Sequence, residues 1–108
     1  MKTFDELADT LAANLDQAVA TFAEPGMRML PTCVAPRKRS WEIRRAGERE
    51  CVVSITLSDG DGLSARLKMG SAWLHSISFG SKDPAIVLRE IGGVVLSMLM
   101  RQKRDAAA

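Results

Sequence analysis

The chain holds one histidine, no tyrosine and two cysteines, Cys33 and Cys51. There is no CxxC pair and no second histidine to share a metal, so neither a disulfide framework nor a zinc site of ordinary spacing is written into it. Long apolar runs are missing as well. The longest, IGGVVLSMLM at 91–100, falls far short of the ~20 residues that a membrane-spanning helix needs. The opening MKTFDELADTL has acids where a signal peptide needs a basic segment followed by an unbroken apolar one. These absences set the expectation of a reduced, cytoplasmic protein with no membrane segment. The alanine, arginine and glycine usage in so short a chain accords with a bacterial, phage or mobile-element source.

What is present is ordinary for a globular domain: 108 residues, 46% hydrophobic and 26% charged, enough for one core without covalent staples. The net charge of +2 conceals a polarity. Residues 1–24 carry Lys2 against five acids, a net of −4, whereas 25–58 carry seven cations against three acids, a net of +4. An acidic first segment beside a basic middle can orient a partner or favour self-association.

Phe4, Leu7, Ala8, Leu11, Leu15, Ala18, Val19 and Phe22 recur at spacings of three and four, which predicts an amphipathic helix over about 4–23. Thr3 and Glu6 have the form of a capping box, and EPG at 24–26 stops the helix. The middle alternates with period two. Strands are predicted at 41–46, 49–58, 63–70 and 73–79, with DGDG at 59–62 as a turn and a weaker strand at 27–34 that Pro31 confines to an edge. In these strands Cys51, Val53, Ile55 and Leu57 share one face, as do Trp73, His75, Ile77 and Phe79. Asp83 and Pro84 then suit the N-cap and first position of a helix over about 84–103, with Arg101, Lys103 and Arg104 at its negative end. The adjacent Gly92 and Gly93 weaken that helix unless another backbone passes close. The fold class is therefore α+β: a single domain with an antiparallel meander of four strands, five if 27–34 joins, and an N-terminal and a C-terminal helix on one face.

Catalytic chemistry is thin. A Cys51–His75 pair would need a third group to orient it and a surrounding that lowers the thiol pKa, and apolar neighbours do the reverse. DGDG opens like a calcium loop, but the twelfth position counted from Asp59 is Gly70, where an acid is required. GSKDP at 80–84 lacks the spacing of a phosphate loop, and its aspartate would repel an anion. No catalytic residue, metal site or cofactor is expected.

The distinctive stretch is PRKRSWEIRR at 36–45, which holds Arg37, Lys38, Arg39, Arg44 and Arg45, five of the chain's fifteen Lys and Arg residues. Together with the helix–strands–helix order and GSK at 80–82, it is similar in outline to double-stranded-RNA-binding domains over about the last seventy residues. That resemblance implies phosphate contacts from a basic cluster at the start of the last helix. Asp83 and Pro84 depart from the family pattern there. Two functional expectations result. The first is a small non-catalytic protein (adaptor, accessory, inhibitor or immunity type) whose five basic residues meet an acidic protein surface. The alternative is a nucleic-acid-binding domain using the basic 37–49 segment, with no aromatic platform for stacking on the expected solvent face. Val95, Leu99 and Met100 of the apolar last helix are the candidates for homodimer formation.

Overall fold

The structure is a computed structural model that describes residues 2–70 and 72–107, and within them the side chains of all but 72–74 and 103–107. The chain runs α1 (Phe4–Phe22), β1 (Arg28–Ala35), β2 (Lys38–Arg44), β3 (Val53–Gly60), β4 (Gly62–Met69), β5 (Ala72–Ser78) and α2 (Pro84–Ala107). The five strands form one antiparallel meander in sequence order. Both helices cover one face of it. Among the described residues no helix is long and apolar enough to cross a membrane.

Local chemistry sets the ends of the elements. The Thr3 hydroxyl accepts from the Glu6 N–H (3.2 Å) and the Glu6 carboxylate accepts from the Thr3 N–H (3.5 Å), the reciprocal box that satisfies two orphan donors. The helix ends where Ala23 turns left-handed at φ 58°. Asp83 caps α2 through its carboxylate on the Ala85 N–H (3.1 Å). The weak 27–34 segment is a full edge strand. A bulge between Pro31 and Cys33 lets the ladder pass the proline, which has no N–H to give. DGDG becomes a tight turn, with Gly60 opposite Gly62 and Asp61 at the tip.

Four expectations change. β2 begins at Lys38 rather than 41, because Lys38, Arg39 and Ser40 pair with Ser58, Leu57 and Thr56, so much of the basic stretch is strand rather than loop. β3 starts at Val53, and Val52 is buried beside it, so Cys51 stands outside the strand and off the Val53–Ile55–Leu57 face. His75 lies opposite buried Leu67, in the core row, yet it is exposed because β5 is an edge strand. α2 extends beyond 103 to Ala107. The inward orientation expected of Trp73, and the placing of Lys103 and Arg104, lie outside the described side chains.

The core is made of alternate side chains from the strands and two helical stripes: Trp41 and Ile43, Val53, Ile55 and Leu57, Ala65 and Leu67 from the sheet, Leu7, Leu11 and Leu15 from α1, and Leu88, Ile91, Val95 and Leu99 from α2. From α1 through five antiparallel strands to α2 the chain reverses direction six times, an even number, so α1 and α2 run parallel. Phe4 and Pro84 line one cleft at their starts, and Glu24 and Gln102 share Arg45 at the other end. Midway, Gly92 faces Asn14 so closely that a Cβ on the glycine would lie 3.3 Å from the Asn14 Cβ and carbonyl oxygen. One of the two glycines thus has its explanation: it lets the helix backbones approach. Gly93 has no such neighbour within 4 Å.

Two consequences can be measured by urea or thermal unfolding in dilute solution. Leu11 is fully buried between α1, the sheet and α2, so Leu11→Ala should lower stability by about 2–5 kcal/mol. Gly93→Ala should raise it by about 1 kcal/mol, the helix-propensity difference in open space. Gly92→Ala should fall short of that gain, since its methyl must displace Asn14.

Candidate partner-binding face

With the buried apolar strand residues turned toward the helices, the opposite face of the sheet has no covering layer among the described residues. Its composition follows from register. One row across the strands reads Leu30, Glu42, Ser54 and Lys68, the next Cys33, Ser40, Thr56, Arg66 and Ser76, and the third Ala35, Lys38, Ser58, Ser64 and Ser78, with Arg28 opposite Arg44 at one end. The middle is hydroxyl-lined, and Ser40 Oγ and Thr56 Oγ1 are hydrogen-bonded at 3.0 Å. The charged members are Arg28, Lys38, Arg44, Arg66 and Lys68 against the single carboxylate of Glu42. Glu42 is itself tied to Arg44, whose Nε and Nη2 donate to Oε1 at 2.9 and 2.7 Å while Nη1 donates to the Arg49 carbonyl at 2.7 Å. Arg28, Arg66 and Lys68 belong to this face although they lie outside the 36–45 stretch. Strand alternation gives away Arg66 and Lys68, but Arg28 is legible only once 27–34 is known to pair.

The five basic residues of the 36–45 stretch do not form one patch. Arg37 and Lys38 sit exposed at the β1–β2 turn and its edge. Arg44 is on the open face. Arg39 points the other way, into the helix side. It lies over the Trp41 ring at 5.9 Å and pairs with Asp5 (3.6 Å) and Asp9 (3.5 Å) of α1, its side chain mostly buried and its Nε without a hydrogen-bond partner. Arg45 leaves the end of β2 toward α1 and α2. Its Nε and Nη2 donate to the two Glu24 oxygens at 2.6 and 3.2 Å, and Nη2 also donates to Gln102 Oε1 at 2.6 Å. Both partners of that ion pair are about four-fifths buried, at 19% and 21% side-chain exposure. Part of the basic middle therefore clamps the acidic first helix, which is where the opposed charges of the two segments meet.

Of the candidates for self-association, Val95 and Leu99 are fully buried within the monomer core, and Met100 is exposed. Cys51 lies beside Glu42 and Arg44, near the open face, whereas His75 belongs to the helix-side row, so the two are not juxtaposed. Burial and the neighbouring Glu42 carboxylate push the Cys51 thiol above its ordinary pKa, against thiolate formation. Among the described residues no group of three or more His, Cys, Asp or Glu could hold a metal ion. The GSK segment precedes α2 on exposed residues, followed by the Asp83 cap.

No protein-family model matches the chain, and no curated protein or solved structure matches it either.

The basic stretch should divide cleanly under mutation. Arg45→Ala strands a largely sheltered Glu24 carboxylate and should cost about 1–3 kcal/mol. Arg37→Ala and Lys38→Ala, on exposed side chains, should stay within about 0.5 kcal/mol of the parent. Urea unfolding of the three variants checks both.

Proposed function

We propose that the protein is a small non-catalytic binding module that offers the open face of its sheet to an acidic surface on a partner protein, in a reducing cytoplasm where Cys33 and Cys51 stay as thiols. The observation that carries this reading is the charge of that face: five cations against one carboxylate, on a chain whose total is only +2. The α1 side carries much of the compensating acid in Asp5, Glu6, Asp9 and Asp16. Serine and threonine rows keep the face low, so a partner can approach the backbone plane. Strand spacing gives a sheet roughly 19 Å across and about 25 Å along the strands. That is a patch on the order of 500 Å², short of the ~800 Å² per side of a standard interface. The β1–β2 turn with Arg37 and Lys38 is placed to extend it. Charge of this kind steers encounter and selects partners more than it supplies affinity.

The same cations could meet phosphates. Among the described side chains, however, the aromatic ones lie on the helix side: Trp41 and Phe79 are buried in the core, and Phe4 and Phe22 pack against it. No described ring on the open face can stack a base, and this favours protein over single-stranded nucleic acid.

The test is a comparison of three baits in lysate of the source organism: the parent chain, the face-reversed Lys38→Glu/Arg66→Glu/Lys68→Glu variant, and a helix-side control, Lys2→Glu. A protein held by the parent and the control but lost with the reversed face is the expected result. In parallel, anisotropy of duplex RNA and DNA should show no saturable binding at physiological salt. A steep salt-dependent duplex affinity lost in the face-reversed variant would replace the protein partner with nucleic acid.

A further inference from the structure

α2 has more apolar surface than the monomer uses. The sheet and α1 bury Val87, Leu88, Ile91, Val95, Met98 and Leu99. On the outer side remain Ile86 and Met100, 52% and 55% exposed, two of the three large apolar side chains most open to solvent among the described residues. They stand seven residues before and seven after Gly93, so the three fall on one line along the helix, roughly 21 Å from end to end. Gly93 is exposed and helical, and a Cβ there would meet nothing. Unlike Gly92, it has no neighbour within the chain that requires a glycine, and a helix interior disfavours one.

The flanks of the line differ. On one side Arg89 and Leu96 border a cleft shared with Asn14, Gln17 and Thr21 of α1. On the other Glu90, Ser97 and Arg101 border a wider cleft of about 780 Å³ with Met69 and His75, where the sheet extends beyond the helices. Gly93 lines both clefts and forms the ridge between them.

We propose that the protein forms a parallel homodimer in which α2 of each copy packs on α2 of the other along the Ile86–Gly93–Met100 line. The occupant is a second copy because the line is self-complementary. A twofold axis parallel to the helices sets Ile86 against Ile86 and Met100 against Met100, with the backbones closest at Gly93. The same operation exchanges the flanks. Glu90 of each copy then stands beside Arg89 of the other, which gives two ion pairs across the seam. It also lays the Asn14–Gln17–Thr21 flank of α1 over the second copy's cleft, where His75 and Arg101 are, instead of over the second copy's own α1. An antiparallel arrangement does neither: it sets Arg89 beside Leu96, sets Glu90 beside Ser97, and stacks the two α1 helices. The dimer is independent of what the sheet face binds, since that face lies on the far side of each copy.

Sedimentation velocity over a wide concentration range should show monomer passing to dimer. Gly93→Gln should weaken the dimer at least about tenfold, the effect of a lost central contact. Its melting temperature in dilute solution should match or exceed that of the parent, so failure to fold is separable from failure to associate. Glu90→Arg should weaken association, and Arg89→Glu added to it should restore it. In a Cys33→Ser/Cys51→Ser background, Met100→Cys alone should oxidise to a disulfide-linked dimer. A protein that stays monomeric at every concentration overturns the proposal. So does a dimer indifferent to Gly93→Gln, or crosslinking that appears only when Ile86→Cys and Met100→Cys chains are mixed.

Discussion

One constraint governs this molecule: the buried apolar side chains of a five-stranded meander turn to the same face, and two parallel helices must share the task of covering it. Strand alternation alone places Trp41, Ile43, Val53, Ile55, Leu57, Ala65 and Leu67 on that side. A helix spans about 10 Å, so two side by side match a sheet of five strands only if they lie close together. Gly92 against Asn14 supplies that closeness. The hydroxyl-lined reverse of the sheet, and the cleft beside β5, are what remains after the packing is satisfied.

The charge pattern is tied to the same geometry. Arg39 and Arg45 project from β2 toward α1 and meet Asp5, Asp9 and Glu24. The ion pairs differ in kind. Those of Arg39 reach highly exposed carboxylates at 3.5 and 3.6 Å and contribute little beyond orientation. The Arg45–Glu24 pair is short, sheltered and completed by Gln102, so it joins three elements at one point. Neutralising two arginines on the helix side leaves the sheet side as the basic one.

Much of this was legible in the residues. Helical spacing, the Thr3–Glu6 box, the Asp83–Pro84 start and the strand alternation fixed the class and the element order, because each depends on neighbours within a few positions. The candidate site was less legible. A run such as RKRSWEIRR reads as one basic cluster, but a strand sends successive side chains to opposite faces. Where Arg39 and Arg45 go depends on acids some 20 to 35 positions away, in and just after α1. The start of β2 was hidden for a related reason, since Lys38 and Arg39 have weak strand preference of their own and are held by pairing with Ser58 and Leu57. His75 kept the expected row but not the expected burial, because alternation says which face a residue takes and not whether a helix reaches it.

The parallel helices also bear on how the chain assembles. Gly92 and Asn14 touch across 78 positions of sequence, with the whole meander between them. Hairpin contacts are local, whereas the contact between the helices has to close a long loop. At ribosomal rates of about 5–20 residues per second, roughly 4–16 s separate the synthesis of one member of this pair from that of the other. Through that interval the α1 stripe of Leu7, Leu11 and Leu15 has no α2 beside it, so a nascent chain carries an uncovered amphipathic helix that holdase chaperones are built to occupy.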